Sequence, residues 1–367
     1  MKATLVVDRW DAARGGQEGY LAALAAALVR RGDRVSVLCR AARGSNPGVD
    51  VEVPVAPGGG AGGERAFLAA VAARAVAADG PVLAPRLLPG ATHVQLHGGL
   101  FADALEAERE SLGGLRRALF PLGTALNGRR RLLLRVEREA PGGDARVMVW
   151  TEALRKRVVA AGVDARRVVV SPPGVDLGAF RPDEGRERAA GPPELLLVAH
   201  NPRLKGLGTA LEALARLRRR GTRARLVVAG RFRPAPWRRA ARRLGVADAV
   251  ELAGPLGRAE VDARMRRADA LVHPTYLDPC SLACLEAAAS GLPVVTTARN
   301  GAAERLGPAG AAVVVEEPGE VERLAEAIGT ALDPGRNRRM REAAHALRPA
   351  LDAGPHLDAV VDWLGAG

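Results

Sequence analysis

Two carboxylates flank the predicted start of one helix in the second half of the chain. Asp278 lies in the loop after a short apolar strand that ends at His273, and Glu286 follows about 1.4 helical turns past Ser281. The N–H groups of Ser281 and Leu282 would be free at the helix start and would face the same edge. Carboxylates bind hydroxyls and a helix start binds anions, so the segment predicts a site for a ligand with hydroxyls on both sides of phosphate. The alternative is a capped helix with an unrelated glutamate.

Two cations, Arg203 and Lys205, lie in the loop HNPRLKG at 200–206, which joins a predicted strand to a predicted helix. Positive charge there suits a diphosphate whose negative charge grows as it leaves. Lysine occurs at only three positions in the whole sequence, and one of the three falls in this loop. We therefore predict that both side chains act on the reacting group, the alternative being two solvated surface charges.

Glycines provide further predicted contacts to a phosphate-bearing ligand. Gly15 and Gly16 lie between the first predicted strand and the first predicted helix, where backbone N–H groups can approach phosphate. The loop lacks the G-x-G-x-x-G spacing of an NAD site, and a plain tight turn is the alternative. Gly230 and Pro255, which follow two strands of the second half, complete the predicted ligand-binding set.

The scaffold that must hold these residues is visible in the alternation of short apolar runs with longer helical patterns. This alternation predicts an α/β fold of two parallel sheets, each with helices on both faces and with its strand-to-helix loops along one edge. The predicted strands are 3–7, 34–38, 82–84, 93–96, 146–150, 167–170, 194–199, 225–229, 250–252, 270–273, 293–297 and 312–315. The predicted helices include 17–31, 64–78, 151–161, 206–219, 257–267, 281–290 and 320–332.

The length of 367 residues exceeds what one core usually supports, so we predict two domains. The first is predicted over 1–185 and the second over 186–349, with a helix at about 350–367 that packs back on the first. The polar segment 181–193, which contains proline and glycine, is the predicted linker. The glycine-rich segment 54–63 is predicted to be a mobile loop.

Composition narrows the classes of function. The net charge is +13, and since only 3 of the 54 basic residues are lysine, 51 are arginine. A general arginine bias and an anionic partner explain this charge equally well. The three cysteines have no metal-ligand or disulfide-framework spacing, which indicates reduced thiols and a cytoplasmic location. The chain start does not resemble a signal peptide, and no apolar run is long enough to cross a membrane.

The segment HPTYLDPCSLACLE at 273–286 resembles the acid-x7-Glu motif of family 4 glycosyltransferases, the retaining two-domain enzymes of GT-B fold that use nucleotide sugars. HNPRLKG resembles the basic diphosphate-binding loop of that family, and SPPGVDLGAFRP at 171–182 resembles the signature that ends its first domain. The glycine loop and TEALRKRV at 151–158 match further family segments in the same order, so the resemblance covers most of the chain. The stretches HNPRLKG and HPTYLDPC also resemble those of the lipopolysaccharide-core glucosyltransferases.

This resemblance implies a role for each motif residue. Asp278 would contact the donor sugar, Glu286 would hold the ribose, and the amides of Ser281 and Leu282 would hold the diphosphate. The first acid of the motif is usually glutamate in the family, so the shorter Asp278 leaves the identity of the donor sugar open. Gly15, Gly16, Gly230 and Pro255 complete the predicted donor-binding residues.

His97 follows the predicted strand 93–96, and the resemblance implies that it lies beside the reacting sugar. A core or capping histidine is the alternative. We do not assign it as a general base, because in this family the leaving phosphate is thought to take the acceptor proton. No D-x-D motif stands in a suitable loop, so we expect neither a metal nor a cofactor, with Arg203, Lys205 and helix N-termini stabilising the diphosphate instead.

Segment 115–139 carries seven arginines against two glutamates, interleaved with leucine, phenylalanine and valine. A basic amphipathic helix region predicts contact with an anionic membrane surface, where each basic residue adds roughly 1 kcal/mol. The protein would then be peripheral at the inner face of the cytoplasmic membrane. A solvated helix face in an arginine-rich protein is the alternative.

Taken together, these features predict a retaining, metal-independent transferase that moves a hexose from a nucleotide sugar, by resemblance a UDP-sugar, to a glycolipid or polysaccharide such as a lipopolysaccharide core. The alternatives are a catalytically inactive relative and an arginine-rich nucleic-acid binder. Only 3% of the residues are aromatic and no nucleic-acid module is recognisable, so we expect no nucleic-acid partner. An epimerase would lack the acid-x7-Glu order, and a phosphorylase would need a suitably placed pyridoxal lysine.

Overall fold

The chain forms two compact units. The first comprises Met1–Pro172 with Gly354–Gly367, and the second comprises Pro173–Ala353. The computed structural model describes residues 1–11, 16–44, 46–54, 58–183 and 191–366. The division precedes the boundary predicted at 185 because the segment after Pro172 packs on the second unit. There the N–H of Val175 donates to the carbonyl of Leu351 over 2.7 Å, and Arg348 donates to the carbonyl of Leu177 over 2.7 Å.

The first unit is built on a parallel sheet. Its strands are β1 (Lys2–Val7), β2 (Arg34–Cys39), β3 (Val49–Glu52), β4 (Val82–Ala84), β5 (His93–Gln95), β6 (Arg146–Val149) and β7 (Val168–Val170). Their order across the sheet is β3-β2-β1-β4-β5-β6-β7, and each neighbouring pair is parallel. The chain builds outward from β1 in one direction and then from β4 in the other, so the order reverses between these two strands. Ligands of such sheets bind beyond the carboxyl ends of the strands at this reversal.

Six helices of the first unit follow in the same part of the chain. They are α1 (Gln17–Arg30), α2 (Gly60–Val76), α3 (Phe101–Glu110), α4 (Gly114–Leu126), α5 (Gly128–Glu139) and α6 (Glu152–Ala160). The prediction of a loop through residue 63 was wrong, because α2 already begins at Gly60. Helix-start N–H groups need no partner within the helix, and a Cβ at Gly63 would lie 2.2 Å from the carbonyl oxygen of Gly58. Residues 55–57 of the predicted loop lie outside the described residues.

The second unit is built on a second parallel sheet. Its strands are β8 (Glu194–Val198), β9 (Arg225–Ala229), β10 (Val250–Gly254), β11 (Ala270–His273), β12 (Val294–Thr297) and β13 (Ala312–Val315). The order is β10-β9-β8-β11-β12-β13, again with parallel neighbours throughout. The reversal lies between β8 and β11. The loops that follow these two strands therefore meet at the edge where a ligand is expected.

Helices cover the second sheet, and the core lies between them and the strands. The helices are α7 (Leu207–Arg219), α8 (Ala235–Arg243), α9 (Arg258–Arg267), α10 (Leu282–Ala289), α11 (Ala303–Leu306), α12 (Val321–Leu332) and α13 (Pro334–Leu347). Leu211 and Leu214 of α7 and Ile328 of α12 are fully buried in one cluster with the strand residues. Their spacing places them on the inward faces of amphipathic helices.

A last helix, α14 (Ala353–Gly365), belongs to the first unit. Its His356 lies 2.8 Å from the hydroxyl of Tyr20 and 2.9 Å from the hydroxyl of Ser171. The ring of Trp363 packs edge-on against His93, with ring centroids 4.6 Å apart. The helix thus supplies buried polar and aromatic contacts to a sheet whose strands come from much earlier in the chain.

Candidate active site

Two loops at the strand reversal of the second sheet are joined by hydrogen bonds. One loop follows β8 and contains 200–206, and the other follows β11 and contains 274–281. The N–H of Tyr276 donates to the carbonyl of Leu204 over 2.9 Å, and the hydroxyl of Thr275 donates to the same carbonyl over 3.1 Å. Gly206 has φ +76°, and a Cβ there would lie 2.0 Å from the carbonyl oxygen of Pro274. Only glycine fits this contact, which brings the two predicted motifs together.

Lys205 and Asp278, which were predicted to contact different parts of a ligand, form an ion pair with each other. The Nζ of Lys205 donates to Oδ2 of Asp278 over 2.6 Å and to the carbonyl of Leu277 over 3.2 Å. The Nε2 of His273 lies 3.4 Å from the same Oδ2. Burial disfavours the charged carboxylate, but Lys205 and His273 hold the pKa of Asp278 well below its ordinary value. Asp278 is therefore an ionised acceptor at neutral pH.

The prediction that the Ser281 amide is free was wrong. Its N–H donates to Oδ1 of Asn300 over 3.1 Å, and the Ser281 side chain makes no capping bond to the helix. Asn300 is buried and its Nδ2 donates to the hydroxyl of Thr296 over 2.9 Å, which fixes the amide against the helix start. Within the described residues no acceptor contacts the Leu282 N–H, so this amide stays available to an anion.

Glu286 lies half-buried on α10. Among the described residues, its carboxylate has no hydrogen-bond or ion-pair partner. Burial raises the pKa of Glu286 to about 7, against a smaller opposite effect of Arg258. The guanidinium of Arg258 is itself held over the ring of Phe180 at 5.2 Å and lies 3.3 Å from Asp176. Glu286 is thus a carboxylate without a protein partner that changes charge near neutral pH.

The other predicted residues of the second unit lie at the same edge of the sheet. Arg203 is exposed, and no acid among the described residues pairs with it. Gly230 follows β9 with φ +144°, and a Cβ there would lie 1.8 Å from the carbonyl oxygen of Ala199. Its N–H donates to the carbonyl of Gly254 over 2.7 Å, so packing alone already requires glycine. Pro255 is exposed directly after β10. Donor contacts of Gly230 and Pro255 stay predictions.

In the first unit His97 follows β5 but is buried rather than exposed at the strand end. Its Nε2 lies 2.9 Å from Oε1 of Gln95, and its ring packs against Tyr20 and Trp150 with centroids 4.9 and 4.8 Å apart. Burial lowers the pKa of His97 to about 3, so the ring is neutral. Its Nδ1 has no hydrogen-bond partner within the described part of the chain. A buried nitrogen of this kind is expected to find a partner, which leaves a ligand contact open.

The predicted glycine loop is described only in part. Gly16 precedes α1 with φ +71°, and its carbonyl accepts the N–H of Tyr20 over 3.0 Å. Arg14 and Gly15 lie outside the described residues. Over the ranges that are described, no cluster of three or more His, Cys, Asp or Glu side chains has a metal-binding arrangement.

Segment 115–139 forms two helices, α4 and α5, which separate at Asn127. Helix α4 buries none of its residues, and it exposes large apolar side chains at regular helical spacing: Leu115, Leu119, Leu122 and Leu126. Two basic residues of the segment form ion pairs within the protein, Arg129 with Glu64 and Arg130 with Glu108. No helix in the described part of the chain has the length and apolar character of a membrane span.

Residues that sequence reasoning missed complete the site. His273 was noted only as a strand end, and Asn300 belongs to no motif that we identified, yet both contact the loop and the helix start. His273 is buried, and burial lowers its pKa. The signal for both residues is topological, because β11 and β12 are neighbours in the sheet and their following loops must touch.

Solved structures that superpose on this chain include proteins described as glycosyltransferases. The crystal structure of WaaG, described as a glycosyltransferase involved in lipopolysaccharide biosynthesis, superposes with a TM-score of 0.82 at 23% identity and covers 100% of both chains. Alr3699/HepE of Anabaena, solved in complex with UDP-glucose, superposes with a TM-score of 0.73 at 17% identity over 100% of both chains. These likenesses confirm the predicted GT-B fold of two Rossmann-like domains.

Sequence relatives define the family. Residues 14–179 match the family described as Glycosyltransferase Family 4, and residues 183–346 match the family described as Glycosyl transferases group 1. D-inositol 3-phosphate glycosyltransferase of Kineococcus radiotolerans is 30% identical over 338 residues, which is 78% of this chain and 74% of that protein. The chain belongs to the group 1, family 4 glycosyltransferases, which confirms the resemblance drawn from its motifs.

Other relatives match over a shorter part. Glycogen synthase of Mycobacterium tuberculosis (strain CDC 1551 / Oshkosh) is 35% identical over 193 residues, which is 52% of this chain and 44% of that protein. The chain therefore spans less than half the length of this curated relative.

Proposed function

We propose that this protein transfers a hexose, with retention of configuration, from a nucleoside-diphosphate sugar to a glycan or glycolipid acceptor. The observation that carries the proposal is Glu286, a half-buried carboxylate that lies one helix turn from the Leu282 amide, both without a partner among the described residues. A carboxylate and a free helix start side by side suit a ribose joined to a diphosphate. UDP-glucose is the first donor to test, because the similarly folded HepE was solved with it.

The diphosphate would be held by positive charge. Lys205 is partly neutralised by Asp278 at 2.6 Å, whereas exposed Arg203 has no acid partner among the described residues. As the donor bond breaks, negative charge grows on the leaving diphosphate, and cations fixed in place beforehand stabilise that charge. Asp278, held ionised by Lys205, would accept hydrogen bonds from sugar hydroxyls. We expect no metal in this step, since Arg203, Lys205 and the start of α10 supply the charge.

Retention would follow from departure and attack on one face of the sugar, with the leaving phosphate taking the acceptor proton. This scheme needs no protein base. It agrees with a neutral His97 whose free Nδ1 can make one hydrogen bond to a hydroxyl of the reacting sugar. Within this scheme His97 orients the sugar and does not take its proton.

A thermal-shift panel of UDP-, GDP- and ADP-glucose tests the donor. A ligand that binds only the folded state raises the melting temperature by mass action, and we expect UDP-glucose to give the largest rise. Glu286→Ala should abolish the rise, while the exposed acid variant Glu316→Gln should keep it. Absence of a shift with every donor, or an undiminished shift in Glu286→Ala, would reject the site and favour an inactive relative.

The acceptor is proposed to be membrane-linked, such as a lipopolysaccharide core. WaaG, the solved protein with a TM-score of 0.82, is described as involved in lipopolysaccharide biosynthesis. The observation on this chain is α4, whose leucines are exposed by 73, 52, 59 and 77% at positions 115, 119, 122 and 126. Exposed apolar side chains beside Arg116 and Arg117 suit the interface of an anionic bilayer.

Sedimentation with phosphatidylglycerol vesicles tests this contact. Replacing Arg116 and Arg117 by Gln should reduce the bound fraction, and so should replacing Leu119 and Leu122 by Ser. The matched control replaces Arg238 and Arg239 on α8, which also form an exposed arginine pair, by Gln. Equal loss in the control would show only a nonspecific charge effect, and no binding by the wild type would reject membrane contact.

A further inference from the structure

Three arginines converge on one buried glutamate in the first unit, outside the donor site proposed in the second unit. Glu64 is fully buried in the first turns of α2. The Nη1 of Arg40 lies 2.8 Å from its carboxylate, the Nη2 of Arg86 lies 2.5 Å from it, and the Nε of Arg129 lies 2.9 Å from it. Burial disfavours the charge, but Arg86 and Arg129 hold the pKa of Glu64 below its ordinary value. The cluster is therefore built from charged groups.

Two of the three arginines stand at the ligand-binding edge of the first sheet, and Arg129 lies at the start of α5. Arg40 directly follows β2, Arg86 comes two residues after β4, and the pair Asp8-Arg9 directly follows β1. These three strands are neighbours in the order β2-β1-β4, at the point where the strand order reverses. Sheets of this kind bind ligands beyond the carboxyl ends of the strands at that point. The cluster thus occupies the place in the first sheet that Lys205 and Asp278 occupy in the second.

A cavity of about 500 Å³ opens beside the cluster. Its lining includes the cations Arg9, Arg40 and Arg129, the acids Asp8 and Glu18, and the glycines 58 and 59. Glycines leave that wall without side chains, and the volume lies within the usual range for small-molecule sites. A monosaccharide phosphate fits a space of this size.

Positive charge exceeds negative charge around this cavity. Four guanidiniums stand against three carboxylates when Glu64 and Arg86 are counted with the lining acids and cations. Arg40 is held in place, because it also donates to the carbonyl of Gly58 over 2.7 Å and stands over the ring of Phe67. Arg129 uses only its Nε towards Glu64, and its terminal nitrogens have no acceptor among the described residues. A guanidinium with free terminal N–H groups is a preformed donor to phosphate.

We propose that this cavity binds a phosphate group carried by a sugar, with Arg40, Arg129 and Arg9 on the phosphate and the carboxylates of Asp8 and Glu18 near the sugar hydroxyls. The inference rests on the proposed function in one respect, since the phosphorylated sugar would belong to the acceptor. It defines that acceptor further, as a glycan that carries a phosphate ester.

Isothermal titration at constant ionic strength tests the cavity without any transfer reaction. Glucose 6-phosphate, glucose and inorganic phosphate are titrated in the presence of UDP, which fills the donor site. We expect wild-type protein to bind glucose 6-phosphate at least tenfold more tightly than glucose or inorganic phosphate. Arg129→Gln should weaken that binding on the order of tenfold or more, as expected for a lost charge-assisted contact.

Three further variants sharpen the result. Arg131→Gln changes an exposed arginine two residues further along α5 that does not line the cavity, and it should bind within twofold of wild type. Arg129→Lys keeps the charge but loses the planar fork, so it should recover only part of the affinity. Arg9→Gln changes an exposed side chain outside the Glu64 cluster and should weaken binding several-fold, even if Arg129→Gln proves unstable.

Equal affinity of Arg129→Gln and Arg131→Gln, or no preference of the wild type for the phosphorylated sugar, would overturn the inference. A last experiment measures the binding of wild type and Arg129→Gln to phosphatidylglycerol vesicles. If Arg129→Gln loses vesicle binding and keeps glucose 6-phosphate binding, the phosphate is a lipid headgroup and the sugar assignment fails. The donor panel on Glu286 variants uses nucleotide sugars and no glucose 6-phosphate, so a failure of the proposed transfer and a failure of this cavity give different results.

Discussion

Replacing Glu286 by Gln is expected to make the protein more stable and its nucleotide binding weaker. The carboxylate is half-buried and lacks a protein partner among the described residues, so burial raises its pKa from 4.5 to about 7. One pH unit of pKa change corresponds to 1.36 kcal/mol, so the ionised form costs the folded protein on the order of 3 kcal/mol. Glutamine keeps the shape of the side chain and removes that cost.

The pH dependence follows from the direction of the pKa change. Below about pH 4.5 the carboxyl is neutral in the folded and unfolded states and contributes nothing to the difference. As pH rises from there to about 7, the unfolded state ionises first and the wild type loses stability, and above about 7 the loss is complete. The melting temperature of Glu286→Gln should therefore equal that of the wild type near pH 4 and exceed it above pH 7, by roughly 6–12 °C if the second unit unfolds as one domain.

The assay is a series of melting curves between pH 4 and 8 for wild type, Glu286→Gln and Glu316→Gln. Glu316 is an exposed acid of the same unit, and its replacement is the control for the loss of one carboxylate. UDP titrations at pH 8 on the same proteins should show at least tenfold weaker binding for Glu286→Gln alone. Two results would refute this assignment of Glu286 as a ligand-binding carboxylate without a protein partner among the described residues. One is a melting-temperature difference between wild type and Glu286→Gln that stays constant with pH, and the other is UDP binding by Glu286→Gln equal to that of the wild type.

Four other predictions concern the same unit. Lys205→Met should lower turnover on the order of 10²-fold at saturating donor, and a rate within a few-fold of wild type would remove Lys205 from the reaction. The pKa of Asp278 in the folded protein is held below its unfolded value. The stability that the Lys205–Asp278 pair contributes is therefore present above about pH 4 and is lost as pH falls further. Because Lys205→Met lacks this stability, its acid unfolding should begin at a higher pH than that of the wild type. Gly230→Ala should cost about 2–4 kcal/mol in urea unfolding, because its Cβ would lie 1.8 Å from the carbonyl oxygen of Ala199, whereas Gly319→Ala, with no atom within 4 Å, should cost little. Dialysis against EDTA should leave transfer activity intact, and activity that returns only with added divalent metal would contradict the reliance on Arg203 and Lys205.

The elements that sequence predicted well are those whose own residues bury them. Strands such as β8 and β11 consist mainly of Leu, Val and Ala that lie in the core. Such short apolar runs can be recognised as strands from the sequence alone. The edge strand β3 alternates between half-buried and exposed residues and was missed. Helix α8 buries only Ala241 and is otherwise rich in arginine, so few apolar residues mark its inward face. Such elements are fixed by their neighbours in space and leave a weak local signal.

The same limit applies to the site. The motif around α10 was predictable because its carboxylates and its helix start lie within one short segment. The capping of Ser281 by Asn300 was not, since it joins residues of different loops. The cluster on Glu64 was harder still, because Arg40, Arg86 and Arg129 stand among 51 arginines and only the strand order shows which of them meet.

The placement of α14 has a consequence for synthesis on the ribosome. The second unit is one continuous stretch of chain, but in the first unit Tyr20 and Ser171 are contacted by His356, which comes after the second unit in the chain. A nascent chain therefore lacks these two contacts during the whole time that the second unit is translated. The N-terminal domain of a chain usually folds first, but this N-terminal unit receives its last helix only after the second unit has been translated. Any chaperone that binds the nascent chain would meet that unit without α14.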